Sequence, residues 1–527
     1  MADEVPLNPL TPSSDYVSMR PYWDKVEAIL GGVDAMIKAG ETYLPKFPGE
    51  TSDMYDLRLA SAVLTNVYKD VTENIAQKPF SKKVRFAEGK VSREVEELGE
   101  DIDGRGNNLH VFLSQTFWYG INNAVDWIFV DKMPMRENAS VAEERLAGAR
   151  PYWVRVPAKR MIAVYSAMIE GREQFIHVRM HEPEVVRSDS FGETFVNRVR
   201  ILERPYDEVT KKYGPAVWQV WEEKREVSAN GTVTDKTIWT KVGEGKIAIG
   251  VIAVVPFVTG RRHGTSWVFD PPMRECLNAQ VDHYHQENGK KDARVMTAYP
   301  MLSAVGVSES KDERTGQPKR VPVGPRSVLF APMVDGKAGG WSWIEPQATS
   351  LAWLSSELKD KEAQIRELGR QPLTAQSGNL TVITAGVAAA KGNSAVQAWS
   401  WALKDAAEQA FIYTSMYLNQ GEGKTEVVIH TDFPVEGTAD KAPDVILKLR
   451  ELGELSREAM FNELMRFNLI SPDYDPEADA ELIAEEEPDP TEEDVAGALG
   501  ETNPDGTPLT PEQRAQMRTR QRVRVVA

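Results

Sequence analysis

The 527-residue sequence contains a single cysteine, Cys276. One thiol excludes an intrachain disulfide framework and any zinc module built on several cysteines. Long apolar runs are lacking too. The longest, Ile247–Val258, contains Pro256, is too short to span a bilayer and predicts a buried strand. The N-terminal stretch MADEVPLNPLTPSSDY has neither the basic nor the apolar region of a secretory signal. The chain is therefore expected to be made in a cytosol, and the sequons at Asn138, Asn230 and Asn379 read as chance matches. A phosphate loop is missing as well. Gly243-Glu244-Gly245-Lys246 has the wrong spacing and no following Ser or Thr, so it reads as a surface turn.

Positive charge is in deficit, with 62 Lys and Arg against 79 Asp and Glu and a net charge of −17. That argues against an open basic surface gripping phosphates. The deficit is uneven. The last 55 residues hold 15 acids and five arginines, a net −10, which leaves −7 for residues 1–472. What the chain does have is apolar mass. At 41% hydrophobic residues with 13 tryptophans it can bury a substantial core, and its length suggests about three or four domains or one elaborated fold.

Helices open the chain. Trp23, Val26, Leu30, Val33 and Ile37 share one helix face, which Gly40 ends. A second helix is predicted through Ala60, Val63, Val67, Val71 and Ile75, capped by Ser52 or Asp53, and a third over Leu109–Trp118. Strands follow from Trp127–Val130. Tyr152–Val156, Gln174–Val178, Thr194–Leu202, Val217–Trp221 and Thr237–Val242 predict an antiparallel layer. A helix returns over Met273–Val295, with Met273, Leu277, Val281 and Tyr284 on one face. A small β module has strands at Ser327–Ala331 and Trp341–Glu345. Leu351–Leu368 predicts a helix with Ser350 as cap, a stripe of Leu351, Leu354, Leu358, Ile365 and Leu368, and pairs Glu357/Lys361 and Glu362/Arg366. Residues 372–394 are small and lightly charged and read as a mobile loop. The longest helix follows from about Ser394 to Asn419, with Val396, Trp399, Leu403, Ala406, Ala410, Tyr413 and Tyr417 as its seam. A strand at Glu426–Ile429 leads to helices Asp444–Leu452 and Arg457–Phe467, the latter capped by Ser456. Beyond Asp473 the composition predicts a solvated tail, with a capping box at Thr510-Pro511-Glu512-Gln513.

Catalytic signatures are scarce. Ser356-Glu357-Leu358-Lys359 matches Ser-x-x-Lys but lies on a helix face without partner motifs. Asp101-Ile102-Asp103-Gly104 starts like a calcium loop, yet its twelfth position is Phe112, which cannot chelate, so a plain turn is expected. His283 and His285 flank Tyr284 near Asp282 and Glu287. Residues two apart on a helix point about 200° apart, so they cannot share a metal within one chain. A solvated or interface pair is expected, or a ring of histidines between identical chains. Cys276 reads as a small apolar residue. Tryptophans beside carboxylates raise a glycosidase reading, but nothing pins two carboxylates together. No enzyme activity, cofactor or metal is expected.

A collinear set of short segments remains: Ala35-Met36-Ile37-Lys38-Ala39-Gly40, Tyr43-Leu44-Pro45, Tyr55-Asp56-Leu57-Arg58, the stretch from Gly120 to Asp131, Pro151-Tyr152 with Arg155, Ile344-Glu345-Pro346, Glu367-Leu368-Gly369, Thr431-Asp432-Phe433 and Gly453-Glu454-Leu455-Ser456. With the order of elements, this set resembles the portal proteins of tailed bacteriophages, of the kind catalogued as a domain of unknown function. The resemblance covers residues 20–470.

It implies an α+β portal-protein fold in a ring of about twelve subunits. Residues 1–270 would be a wing, 271–296 and 348–371 a two-helix stem, and 297–347 a β-containing clip. Residues 372–394 would be a tunnel loop, 395–435 a long helix returning to the wing, 436–472 a helical crown, and 473–527 an acidic then Arg-rich tail. The ring would sit at one capsid vertex of the virion after assembly in the host cytoplasm. It would conduct double-stranded DNA and bind the terminase large subunit, a head–tail adaptor, and the major capsid and scaffold proteins, with no membrane partner. Lys290, Lys291, Arg294, Lys359, Asn379, Thr381 and Lys391 are the candidates to line the DNA channel. Arg514, Arg518, Arg520, Arg522 and Arg524 form a tail basic cluster, which meets DNA or a neighbour's acidic segment or else stays solvated. The alternatives are another structural virion protein, in a minor capsid or head–tail joining role, and a cytosolic hydrolase.

Overall fold

The computed structural model describes the backbone of residues 8–133, 143, 146–187, 189–227, 233–298, 301–305, 340–344, 349–369, 382–421, 423–431, 433, 442–466, 469–470, 474–485 and 510–511. The chain divides into two compact units, Met1–Glu436 and Gly437–Ala527.

The first unit opens with α1 (Ser14–Leu30) and α2 (Gly32–Ala39). The single helix expected here breaks because Gly32 takes φ +79°, a left-handed conformation that interrupts the ladder. The second expected helix is also two, α3 (Ser52–Ala60) and α4 (Val67–Gln77). Thr51, rather than Ser52 or Asp53, caps α3, and Asn66 caps α4 by accepting from Lys69 N. Next come β1 (Arg85–Phe86), α5 (Arg93–Gly99) and α6 (Leu109–Asn123). Ser92 and Asn108 cap these two helices, and the sequence reading missed α5 altogether.

The β layer comprises β2 (Val125–Lys132), β3 (Pro151–Val156), β4 (Met161–Ile169), β5 (Arg172–His181), β6 (Glu184–Arg187), β7 (Glu193–Val196), β8 (Arg198–Glu203), β9 (Tyr206–Asp207), β10 (Lys212–Tyr213), β11 (Val217–Val227), β12 (Val233–Lys246), β13 (Val254–Val258), β14 (Arg261–Arg262) and β15 (Phe269–Asp270). It is antiparallel, as expected. A five-stranded sheet has the order β12-β11-β8-β5-β4 and a three-stranded sheet the order β13-β2-β3. The expected strand Thr194–Leu202 splits at Asn197, so that β7 pairs with β6 while β8 joins the large sheet. The apolar run Ile247–Val258 is a strand only from Val254. Ile247, Ile252 and Ala253 are buried in a loop that turns at Gly250, φ +70°. Gly243 and Gly245 are not in a turn. They lie in β12 under the Trp218 ring, where a Cβ on Gly245 would stand 2.8 Å from Trp218 Nε1.

The unit continues with α7 (Arg274–Ala298), β16 (Met301–Val305), β17 (Gly340–Ile344), α8 (Thr349–Leu368), α9 (Val382–Tyr417) and β18 (Val427–Val428). Ser350 lies inside α8 and is not its cap. The longest helix begins at Val382, so the later part of the expected loop 372–394 is helical. Its alanine-rich run, Ala385 to Ala390, favours helix more than two glycines oppose it. The earlier part, with Asn379 and Thr381, lies outside the described residues, as does the expected strand Ser327–Ala331. α9 packs on β13 and β2. There Trp153 and Phe411 meet at 4.6 Å between ring centroids, and Trp153 Nε1 donates to Thr414 Oγ1 at 2.9 Å.

The second unit contains α10 (Ala442–Glu451), α11 (Arg457–Arg466) and α12 (Pro476–Glu485). Ser456 caps α11, accepting from Ala459 N at 3.1 Å. The residues just past Asp473 are not simply solvated coil. Asp475 accepts from Ala478 N and opens α12, with Pro476 at the first helical position.

Candidate functional site

α7 and α8 lie side by side and run antiparallel. The start of α7 meets the end of α8, where Cys276 Sγ donates to Ile365 O at 3.4 Å. Six residues further along α7 and four back along α8, Lys361 pairs with Asp282 at 2.8 Å. Leu358 and Ile365 are the buried knobs of the α8 stripe, while Leu368 is partly exposed. Lys361 and Arg366 serve tertiary pairs, to Asp282 and to Asp70 of α4 at 2.6 Å, which their in-helix spacing did not point to. Burial pushes the Cys276 thiol up to about 12, so it stays protonated and inert.

His283 is a correction to the sequence reading. It is 1% exposed, inside the α7–α8 seam, with Nε2 at 3.6 Å from Glu362 and Nδ1 at 4.0 Å from Glu287. His285 points elsewhere, its Nε2 2.7 Å from Tyr43 O.

A second face of α7 is polar yet bound. Residues 61–66, between α3 and α4, run along it as non-helical chain, and α7 side chains satisfy their backbone. Lys291 Nζ donates to Ser61 O. Asn288 accepts from Val63 N and donates to Val63 O, each at 3.0 Å. Glu287 accepts from Thr65 N at 2.8 Å and from Thr65 Oγ1 at 2.6 Å. Gln280 donates to Thr65 O at 3.0 Å and accepts from Tyr68 N at 2.9 Å. Gln280 and Asn288 are buried. Sequence reasoning missed these residues. The spacing of 280, 287, 288 and 291 marks one helix face, but polar residues on a helix face ordinarily mean solvent.

A third brace is close by. Arg58 makes a bidentate pair with Glu50 at 2.8 and 2.7 Å, donates to Pro45 O at 2.8 Å, and lies 3.8 Å from Asp292 of α7. The guanidinium covers the Phe47 ring at 4.2 Å. This pairing holds the Glu50 carboxyl below its usual range, and burial raises that of Asp292.

Of the expected channel residues, Lys290 and Lys291 are half-buried near the end of α7, and Arg294 is exposed on the same helix. Lys359 is exposed on α8, and Lys391 lies on α9. The tail arginines 514, 518, 520, 522 and 524 lie outside the described residues.

Elsewhere Asp101 and Asp103 stabilise their own loop. Asp103 accepts from Arg105 N and Asn107 Nδ2, and Asp101 pairs with Arg150 at 2.5 Å. Among the described residues, no group of His, Cys, Asp and Glu is arranged to hold a metal ion, and no helix is long and apolar enough to cross a membrane.

A family model described as a domain of unknown function (DUF4055) matches residues 272–418, the stretch from α7 through α9. No curated protein matches the chain. Among solved structures, the chain is similar to one from the neck of a native GTA particle computed with C12 symmetry, at 12% identity and TM-score 0.35, covering 76% of this chain and 89% of that one. It is also similar to one from the neck of an empty GTA particle computed with C6 symmetry, at 11% identity and TM-score 0.37, covering 82% and 99% respectively.

Proposed function

We propose that this chain is a portal subunit of a tailed phage-like virion. About twelve copies close into a ring at one capsid vertex, since a head-to-tail contact that closes gives a ring. The ring conducts double-stranded DNA during packaging and ejection. It docks the terminase large subunit and later a head–tail adaptor, and it contacts major capsid and scaffold proteins during assembly. It carries out no catalysis itself, the ATP hydrolysis belonging to the terminase.

The observation that carries this reading is the braced antiparallel pair of α7 and α8. The chain leaves the pair through β16, returns through the antiparallel strand β17, and then enters the 36-residue α9. That order supports the mapping onto wing, stem, clip, stem and long helix that the sequence resemblance implies. The bracing suits the task. A stem under load from moving DNA must not slide along its own subunit, and α7 is fixed by side chains bonded directly to backbone. Charge is compatible as well. A body of only mildly negative charge lacks the many phosphate contacts that make binding tight and salt-dependent.

Electron microscopy of the purified chain tests the reading. Closed rings with a channel wide enough for a DNA duplex are expected. Monomers or open filaments alone, at high protein concentration, would overturn it.

A further inference from the structure

The seam between α7 and α8 encloses an imidazole that neither helix satisfies. His283 is 1% exposed, and neither of its ring nitrogens has a hydrogen-bond partner. Buried polar atoms are nearly always paired, so two unpaired atoms on one ring call for a reason.

The surroundings supply one. Glu362 Oε1 of α8 lies 3.6 Å from Nε2, and Glu287 Oε2 of α7 lies 4.0 Å from Nδ1. Both gaps exceed hydrogen-bonding distance and lie within ion-pair range. A neutral imidazole carries one N–H and one bare lone pair. Whichever tautomer forms, the lone pair faces a carboxylate oxygen and the two repel. Only the imidazolium, with an N–H on each nitrogen, matches both carboxylates. Burial opposes charge on the ring, and a carboxylate on each side offsets that cost.

The neighbouring charges are engaged elsewhere. On the two helices, Lys361 pairs with Asp282, and Arg366, four residues after Glu362, pairs with Asp70 of α4. On α4, which packs against both helices, Lys69 pairs with Glu73. Lys25 of α1 bonds Asn278, near the start of α7. Arg58 of α3 serves Glu50 and Asp292, further along it. Glu287 accepts from Thr65, which carries no charge.

We infer that His283 is a proton-operated latch on the helix pair. Protonated, it bridges Glu362 of α8 to Glu287 of α7 and tightens the seam. Neutral, it sets a lone pair against a carboxylate and loosens the seam. The latch is therefore closed in acid and opens as pH rises through the range in which imidazoles change charge, about 5 to 8. Glu287 also holds Thr65, so closure extends to the chain between α3 and α4. The device belongs to a single subunit. It goes beyond the ring reading and does not depend on it.

Amide hydrogen exchange on the full chain, read by mass spectrometry at about pH 5.5 and about pH 8 and corrected for the chemical rate, tests the latch. Peptides covering Leu358–Ile365 should be about tenfold better protected at the lower pH, the smaller end of what an opposite charge at this range exerts. His283→Gln cannot take up a proton and should bring that ratio to about one. Glu362→Gln keeps the side-chain shape at a position 40% exposed and removes its charge. It should cut the ratio to about threefold or less. The other histidines and the buried Asp126 are common to all three proteins, so differences between them isolate the latch. A wild-type ratio near one, or equal ratios in wild type and Glu362→Gln, overturn it. Should His283→Gln fail to fold, Glu362→Gln decides alone. Exchange is read within one subunit, so either outcome leaves the ring reading untouched.

Discussion

Individual side chains in this protein are placed by close packing, and two positions make that testable. Gly120 in α6 faces Phe257, and a Cβ there would lie 2.3 Å from the ring, which is itself stacked on Phe117 at 5.7 Å. Gly120→Ala should destabilise the first unit by about 1–3 kcal/mol, the usual cost of overpacking a filled core. A thermal melt checks it, and an unchanged melting temperature would refute it. Asp126 offers a pH test. Its carboxyl is fully buried on β2, 3.2 Å from Arg155. Burial pushes it up to about 7, against the opposing pull of Arg155 and of the Trp127 and Ala158 backbone N–H groups. An unfolded Asp titrates near 3.9, so the folded state holds the proton more tightly. The stabilisation is complete below about pH 4 and is lost as pH rises through about 7. Asp126→Asn should therefore flatten the fall in melting temperature between those values, and parallel curves for the two proteins would refute it.

At the scale of elements, the brace on α7 predicts a local effect. Asn288→Ala leaves the half-buried Val63 N and O without their side-chain partner, at a cost of about 1–3 kcal/mol. Hydrogen exchange should speed up at Val63 and Thr65 more than in the β layer, and uniform exchange would show that the brace is not a local unit. The helices themselves were largely legible. The seam of α9 at Val396, Trp399, Leu403, Ala406 and Ala410 is buried as its 3-4 spacing predicts, because apolar periodicity reports which face must leave water. The breaks were not legible. Val63 continues the apolar period of α4 backwards, yet residues 62–66 are non-helical where Gln280, Glu287 and Asn288 on a distant helix bind the backbone of Val63 and Thr65. The burial of His283 was hidden for the same reason, since it depends on α8 lying across it.

For the whole molecule, the division after Glu436 predicts that a fragment of residues 1–436 folds alone with the melting temperature of the full chain's first transition. A drop of more than a few degrees would show that the second unit supports the first. By itself the sequence determined the α+β fold class and the order of its main elements. One cysteine, scarce catalytic signatures, a mildly acidic body and an ordered succession of helices and antiparallel strands are local or compositional properties, and they survive being read one residue at a time. Tertiary structure alone decided which polar residues are working parts. Gln280, Asn288 and His283 look like solvent-facing helix residues until the chain folds. Their partners are up to 225 residues away, and only packing brings them within hydrogen-bond or ion-pair reach.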